Sequence, residues 1–302
     1  MSKPQITDSG LETWLLFHRG VELQDFAAFP LLDDNHGRGV LAEYFRAHLR
    51  IAAHAGGRLV LETPTWRASS DWGARLGYNA TALDRVNRTS VAFLRELGQE
   101  FDDVELVVSG QLGPRGDGYD PGHLLTPGEA ASYHRAQIDS FAAAAVDRVT
   151  MLTATHVGEA IGVVRAAVDV GVPVVIAFTV ETDGRLPSGQ PLHAAITEVD
   201  AATGGIALHF GINCAHPDHF TAALDVDQAA TARVALLRAN ASRASHAELD
   251  EAEELDDGDP EELANLYAHL LDRHPHLQVL GGCCGTDARH IEAIARACIP
   301  AG

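Results

Sequence analysis

The chain has 302 residues, 46% of them hydrophobic, and a formal net charge of -20. That length supports one sizeable core, and no apolar run approaches the roughly 20 residues of a membrane helix. Lys3 is the only lysine and no Lys/Arg cluster forms, so neither a nucleic acid nor an anionic membrane finds a basic face.

In chain order, Met1 to Asp8 lacks the apolar centre of a signal peptide. Gln5–Thr7 within it is the first strand candidate. Val40 to Ala55 reads as a helix, with Leu41, Tyr44, Phe45, Leu49 and Ile51 near helical spacing and a stop at Gly56-Gly57. Arg58–Glu62 and Val104–Ser109 are the second and third strands. Thr126-Pro127-Gly128-Glu129 is a capping box with proline at the first helical position, opening a helix to about Val146.

Val149–Thr153, Val172–Phe178, Gly205–Phe210 and Arg233–Leu237 follow as strands four to seven. Several are continuous apolar runs, which suit strands buried on both faces. The stretch from Glu248 to Glu262 is acidic, with Glu251, Glu253, Glu254, Asp256, Asp257 and Asp259. It reads as a solvated helix and loop after strand seven, part of an insertion near 241–262. Asp259-Pro260-Glu261-Glu262 opens another helix, Leu277–Leu280 is the eighth strand, and Asp287 caps a last helix from Ala288 to about Cys298. Eight strands alternating with helices predict a single-domain α/β fold over 1–302, a (β/α)8 TIM barrel. The competing open, doubly wound sheet lacks a GxGxxG after its first strand.

The four cysteines do not resemble a secreted disulfide framework, and the chain reads as cytoplasmic with reduced thiols. Cys214 follows strand six, and Cys283 and Cys284 follow strand eight. On a barrel those strand ends share one rim, so the three sulfurs can converge. Adjacent residues on a strand point to opposite faces, so both Cys283 and Cys284 reach one ion only if the backbone turns. Gly281, Gly282 and Gly285 are expected to permit that turn. Three thiolates with no obvious fourth ligand suggest zinc with an open position. His209, His216 and His219 stand near Cys214 but read as exposed or capping groups, and Cys298 as a small buried residue. A thiolate-rich zinc is a poor Lewis acid for hydrolysis and suits activation of another thiol. A different zinc enzyme on the same scaffold, or a closed, non-enzymatic zinc or redox site, are the competing readings.

Gly211-Ile212-Asn213-Cys214 together with Gly281-Gly282-Cys283-Cys284-Gly285-Thr286 resembles the zinc-dependent homocysteine S-methyltransferases. The likeness extends over nearly the whole chain. Asp8-Ser9-Gly10-Leu11-Glu12-Thr13 resembles the family's opening Asp-Gly-Gly-x-x-Thr. Thr63-Pro64-Thr65-Trp66-Arg67-Ala68-Ser69 and Ser109-Gly110-Gln111-Leu112-Gly113-Pro114 resemble its second and third strand-end motifs.

The resemblance implies Zn2+ on Cys214, Cys283 and Cys284, with the acceptor thiol in the fourth position. It implies an onium methyl donor such as S-methylmethionine, S-adenosylmethionine or a betaine, and homocysteine as acceptor, giving methionine. Asp8, Thr63, Thr153 and Asn213 are substrate-binding candidates, joined by Glu62, which stands where the family usually has a small or polar residue; a homo-oligomer is compatible with the resemblance. Where the family has Glu-Thr at the end of strand four, this chain has Leu152-Thr153. Either Glu62 supplies the lost charge, or the acceptor is another small thiol that Leu152 packs against. Glu12 is expected in solvent. Trp66, Trp72, Tyr78 and Tyr119 are loop aromatics that could meet a cationic donor.

Overall fold

Eight short strands, each followed by a helix, close into one parallel barrel in chain order. The computed structural model describes residues 4–252 and 254–299, so Met1, Ser2, Lys3, Glu253, Pro300, Ala301 and Gly302 lie outside the described residues. The strands are β1 Gln5–Thr7, β2 Arg58–Glu62, β3 Glu105–Leu112, β4 Arg148–Ala154, β5 Val174–Phe178, β6 His209–Asn213, β7 Val234–Ala239 and β8 Val279–Gly282. The helices that follow them are α1 Asn35–His54, α2 Ala80–Gly98, α3 Pro127–Ala143, α4 Val157–Asp169, α5 Leu192–Thr203, α6 Pro217–Leu224, α7 Pro260–Arg273 and α8 Ala288–Cys298. Closure comes from β8 against β1, with Gln5 opposite Val279 and Ile6 opposite Leu280. Among the described residues no helix is long and apolar enough to cross a membrane.

The predicted caps form. Thr126 Oγ1 accepts from the Glu129 N–H at 3.3 Å, and Glu129 Oε2 accepts from the Thr126 N–H at 2.9 Å. Asp287 likewise caps α8. The largest displacement from the sequence reading is β6, which starts at His209, not Gly205. Gly204 and Gly205 both hold positive φ, 70° and 67°, and turn the chain out of α5, leaving Ile206 and Leu208 exposed. An apolar run alone does not distinguish such a turn from a strand.

Strand alternation divides the core in two. Leu59, Leu61, Met151, Ile176, Phe178, Leu237 and Leu280 face outward and pack with the helices. Val60, Leu152, Val175, Ala177, Leu236 and Val279 face inward and form a smaller cluster inside the barrel. Glu62, Arg148 and Arg238 share the parity of that inner set. Arg238 binds Thr7 Oγ1 at 2.8 Å, the Ser9 carbonyl at 3.1 Å, and Asp8 Oδ1 in a buried ion pair. Arg148 Nη2 lies 4.0 Å from Glu62 Oε1. Of the three, Arg238 alone reaches the wall of the cavity at the rim.

Candidate metal centre and active site

Cys214 leaves β6 and Cys283 and Cys284 leave β8, all on the rim formed by the strands' C-terminal ends. Their three Sγ atoms lie within 4.8 Å of one another, and Cys214 Sγ is 3.5 Å from Cys284 Sγ. All three are free thiols. Tetrahedral zinc with Zn–S bonds of about 2.3 Å separates its sulfurs by roughly 3.8 Å, so the trio fits such an ion and leaves one position open. Among the described residues the group comprises these three cysteines alone. His216 caps α6, His219 Nε2 donates to the Arg243 carbonyl at 3.0 Å, and His209 lies against Arg148.

The convergence is built from backbone strain and close approach. Cys214 and Thr153 both lie in the left-handed region, at φ 58° and 60°. For residues other than glycine that costs on the order of 1–3 kcal/mol each, so something must hold them there. Asn213 does much of it. Its Oδ1 accepts from the Thr153 N–H at 2.7 Å, and its Nδ2 donates to Thr153 Oγ1 at 3.1 Å and faces Cys283 Sγ at 3.9 Å. His246 Nε2 donates to the Cys214 carbonyl at 2.7 Å.

The glycines act differently from expectation. Of Gly281, Gly282 and Gly285, only Gly285 has positive φ, at 79°. Gly281 and Gly282 instead allow contact, since a Cβ would stand 2.4 Å from Thr7 Cγ2 and 2.1 Å from Thr286 Oγ1 respectively. Gly10 belongs with them, because its Cβ would come 2.3 Å from the Cys283 carbonyl oxygen. Gly10→Ala is therefore expected to displace the Cys283 backbone and weaken the affinity of the three-cysteine group for a metal ion by about 10- to 100-fold, the range for lost outer support of a metal. Competition with a chromophoric chelator reads this directly, and unchanged affinity would contradict it.

The sulfurs are electrostatically unequal. Hydrogen bonds from the thiols of Cys214 and Cys284, with Arg238 nearby, hold Cys283 well below the ordinary thiol value. Hydrogen bonding to Cys283 pushes Cys214 up, and hydrogen bonding to Cys214 and Cys283 pushes Cys284 up. Tyr119 reaches over them from the β3–α3 connection, its hydroxyl 3.1 Å from Cys214 Sγ and 3.9 Å from Cys284 Sγ. Burial, then the charge of Cys214, holds that phenol well above its ordinary value, so it keeps its proton. Its ring stacks on His246 at 4.0 Å and 13°.

A cavity of about 390 Å³ opens above the cysteines. Thr153 and Asn213 stand on its wall; Asp8, Glu62 and Thr63 do not. Asp8 accepts from Arg238 and from the Glu62 N–H. Thr63 Oγ1 accepts from the Gln111 N–H at 2.9 Å and contacts Thr65 Oγ1 at 2.6 Å. Glu62 is 3% exposed, and neither of its carboxylate oxygens has a hydrogen-bond partner among the described residues. Burial raises its pKa, opposed by Arg148 and Arg238. Of the four aromatics, Trp66 and Tyr119 line the cavity, joined by Phe17 and Phe26. Trp72 and Tyr78 point elsewhere, with Trp72 Nε1 donating to the Arg115 carbonyl and the Tyr78 hydroxyl donating to Asp33. The Arg67 guanidinium lies between Trp66 and Trp72, 4.0 and 3.6 Å from their centroids.

Three contributors escape the sequence reading. Glu12, expected in solvent, stands on the cavity wall in the turn after β1. Burial raises its carboxyl to about 7, the charge on Cys283 adding to the effect. Arg238 also lines the cavity, and its position on an apolar strand hid it, although its inward parity with Leu236 was a usable signal. Finally, the acidic stretch after β7 is not merely solvated. Leu249, Asp250, Ala252, Glu254, Leu255 and Asp256 form part of the wall.

Comparison with known proteins follows the same direction. A family model described as homocysteine S-methyltransferase matches residues 5–298. Crystal structures of the homocysteine methyltransferase MmuM from Escherichia coli, in oxidised and metallated forms, superpose with a TM-score of 0.79 at 19% identity. Each match covers 98% of this chain and 96% of the other. The apo form of the same protein superposes at 0.71 with 18% identity. No curated protein matches the chain by sequence.

Proposed function

This chain belongs to the homocysteine S-methyltransferase family and is a methyltransferase acting on homocysteine, and from that premise we propose that it uses a zinc-held thiol and a sulfonium methyl donor. The observation that carries the zinc assignment is the convergence of the Cys214, Cys283 and Cys284 sulfurs beneath a cavity, with room for one more ligand. Zinc bound there would lower the acceptor thiol's pKa and leave its sulfur electron-rich.

The chain's own residues then hold and align. The Thr153–Asn213 pair fixes the floor beside Cys283, and Tyr119 covers Cys214. Trp66, Phe26 and Phe17 present aromatic surface to the donor cation and exclude water. The acceptor sulfur forms a bond to the donor methyl carbon as the donor's carbon–sulfur bond breaks. The leaving electron pair stays on the donor sulfur, which departs as a neutral thioether. With S-methylmethionine and homocysteine, both products are methionine.

Charge favours a donor with net positive charge over a zwitterion. Asp117, Asp250, Glu254 and Asp256 are exposed where the cavity meets solvent. Raising NaCl from about 50 to 500 mM is expected to lower kcat/KM for S-methylmethionine by about threefold or more, with little change for betaine. Equal salt slopes for the two would remove the electrostatic argument.

The deciding experiment incubates zinc-loaded protein with homocysteine and, separately, S-methylmethionine, S-adenosylmethionine and betaine, and follows methionine by mass spectrometry. Methionine from a sulfonium donor is the expected result, abolished when zinc is chelated. Undiminished turnover by metal-free protein would overturn the zinc assignment.

A further inference from the structure

We infer that Glu12 is the anionic anchor for the ammonium group of the acceptor amino acid, and so sets the choice of thiol. The inference rests on homocysteine as the acceptor. That molecule brings a thiol, a carboxylate and an ammonium group into a largely buried site. A buried ammonium requires a charged acceptor nearby.

Among the described residues the wall offers five carboxylates: Glu12, Asp117, Asp250, Glu254 and Asp256. The last four are exposed at the mouth, and Asp117 already faces Arg67 at 3.7 Å. Glu12 alone is half-buried, and it shares the wall with Cys283. Its own backbone N–H faces the carboxylate, and among the described residues no side chain forms an ion pair with it.

The other acids near the rim are not free to serve. Asp8 is held by Arg238 and by the Glu62 N–H. Glu62 faces Arg148 within the barrel and is absent from the wall. Leu152, on the wall beside Thr153, supplies no charge. Glu12 is thus the carboxylate placed to meet a cation near the bound sulfur. It arrives there because Gly10 packs against the Cys283 carbonyl and carries the turn at Leu11–Thr13 onto the cysteines.

The test compares two acceptors that differ only in the amino group, homocysteine and 4-mercaptobutyrate. Binding to the zinc-loaded protein is read by calorimetry without any donor, and turnover is read separately. The wild-type protein is expected to prefer homocysteine by about 10- to 100-fold, the range of one charge-assisted contact. Glu12→Gln is expected to lose that preference while binding 4-mercaptobutyrate and zinc as before. Retained 4-mercaptobutyrate binding shows that the variant is folded. Equal binding of both thiols by the wild type overturns the inference without any variant. So does a Glu12→Gln protein that keeps the preference, or one that loses both thiols equally. Wild-type protein that holds zinc yet neither binds nor methylates homocysteine instead overturns the acceptor reading on which the inference stands.

Discussion

Cys284→Ala is expected to release zinc and abolish methyl transfer while leaving the barrel folded. The Cys284 Sγ lies 3.5 Å from that of Cys214, and three sulfurs within 4.8 Å make up the whole ligand group among the described residues. Losing an outer-shell partner of a zinc ligand costs roughly 10- to 100-fold in affinity, and losing a ligand costs more. Among the described residues no His or carboxylate stands within the group to replace it. The fold should survive, because Cys284 lies beyond the last residue of β8 and contributes nothing to the apolar cluster. Metal content by plasma mass spectrometry, circular dichroism and methionine production read the three outcomes. Retained zinc and activity in this variant would refute the site.

Asp8→Ala should produce the largest loss of stability. Arg238 is 3% exposed, and the Asp8 carboxylate is its ion-pair partner. Removing one member of a buried pair leaves an uncompensated charge and costs about 3–5 kcal/mol. At about 2 °C per kcal/mol for a chain of this size, Tm should fall by roughly 6–10 °C. The cost lies mainly with the stranded guanidinium, so Asp8→Ala combined with Arg238→Met should recover much of the loss. Calorimetry of the two single variants and the double variant forms the cycle, and strictly additive losses would show that the pair does not act as a unit.

These two outcomes probe parts of the molecule that were unequally visible in the sequence. The strands were legible because a parallel barrel buries both faces, writing apolar runs such as Val174–Phe178 directly into the chain. The convergence of Cys214, Cys283 and Cys284 was legible because strand-end placement brings distant residues to one rim. The start of β6 was hidden, since Ile206 and Leu208 are apolar yet exposed. Glu62 looked like a rim residue because it ends β2. Its parity with Val60 turns it into the interior instead, and it is not on the cavity wall. Glu12 was hidden for a different reason. Its direction is decided by a glycine contact across to Cys283, which local periodicity does not encode.

The connection after β7 contributes wall to the cavity, but no strand to the barrel and no sulfur to the cysteine group. It nevertheless grips that group from behind: the Ala241 N–H donates to the Cys284 carbonyl at 3.1 Å, and His246 Nε2 donates to the Cys214 carbonyl at 2.7 Å. The wall facing the donor and the floor carrying the sulfurs are therefore one mechanical unit. A chain built on this plan that exchanges the loop keeps its reaction centre only where the residues standing at Ala241 and His246 still reach those two carbonyls.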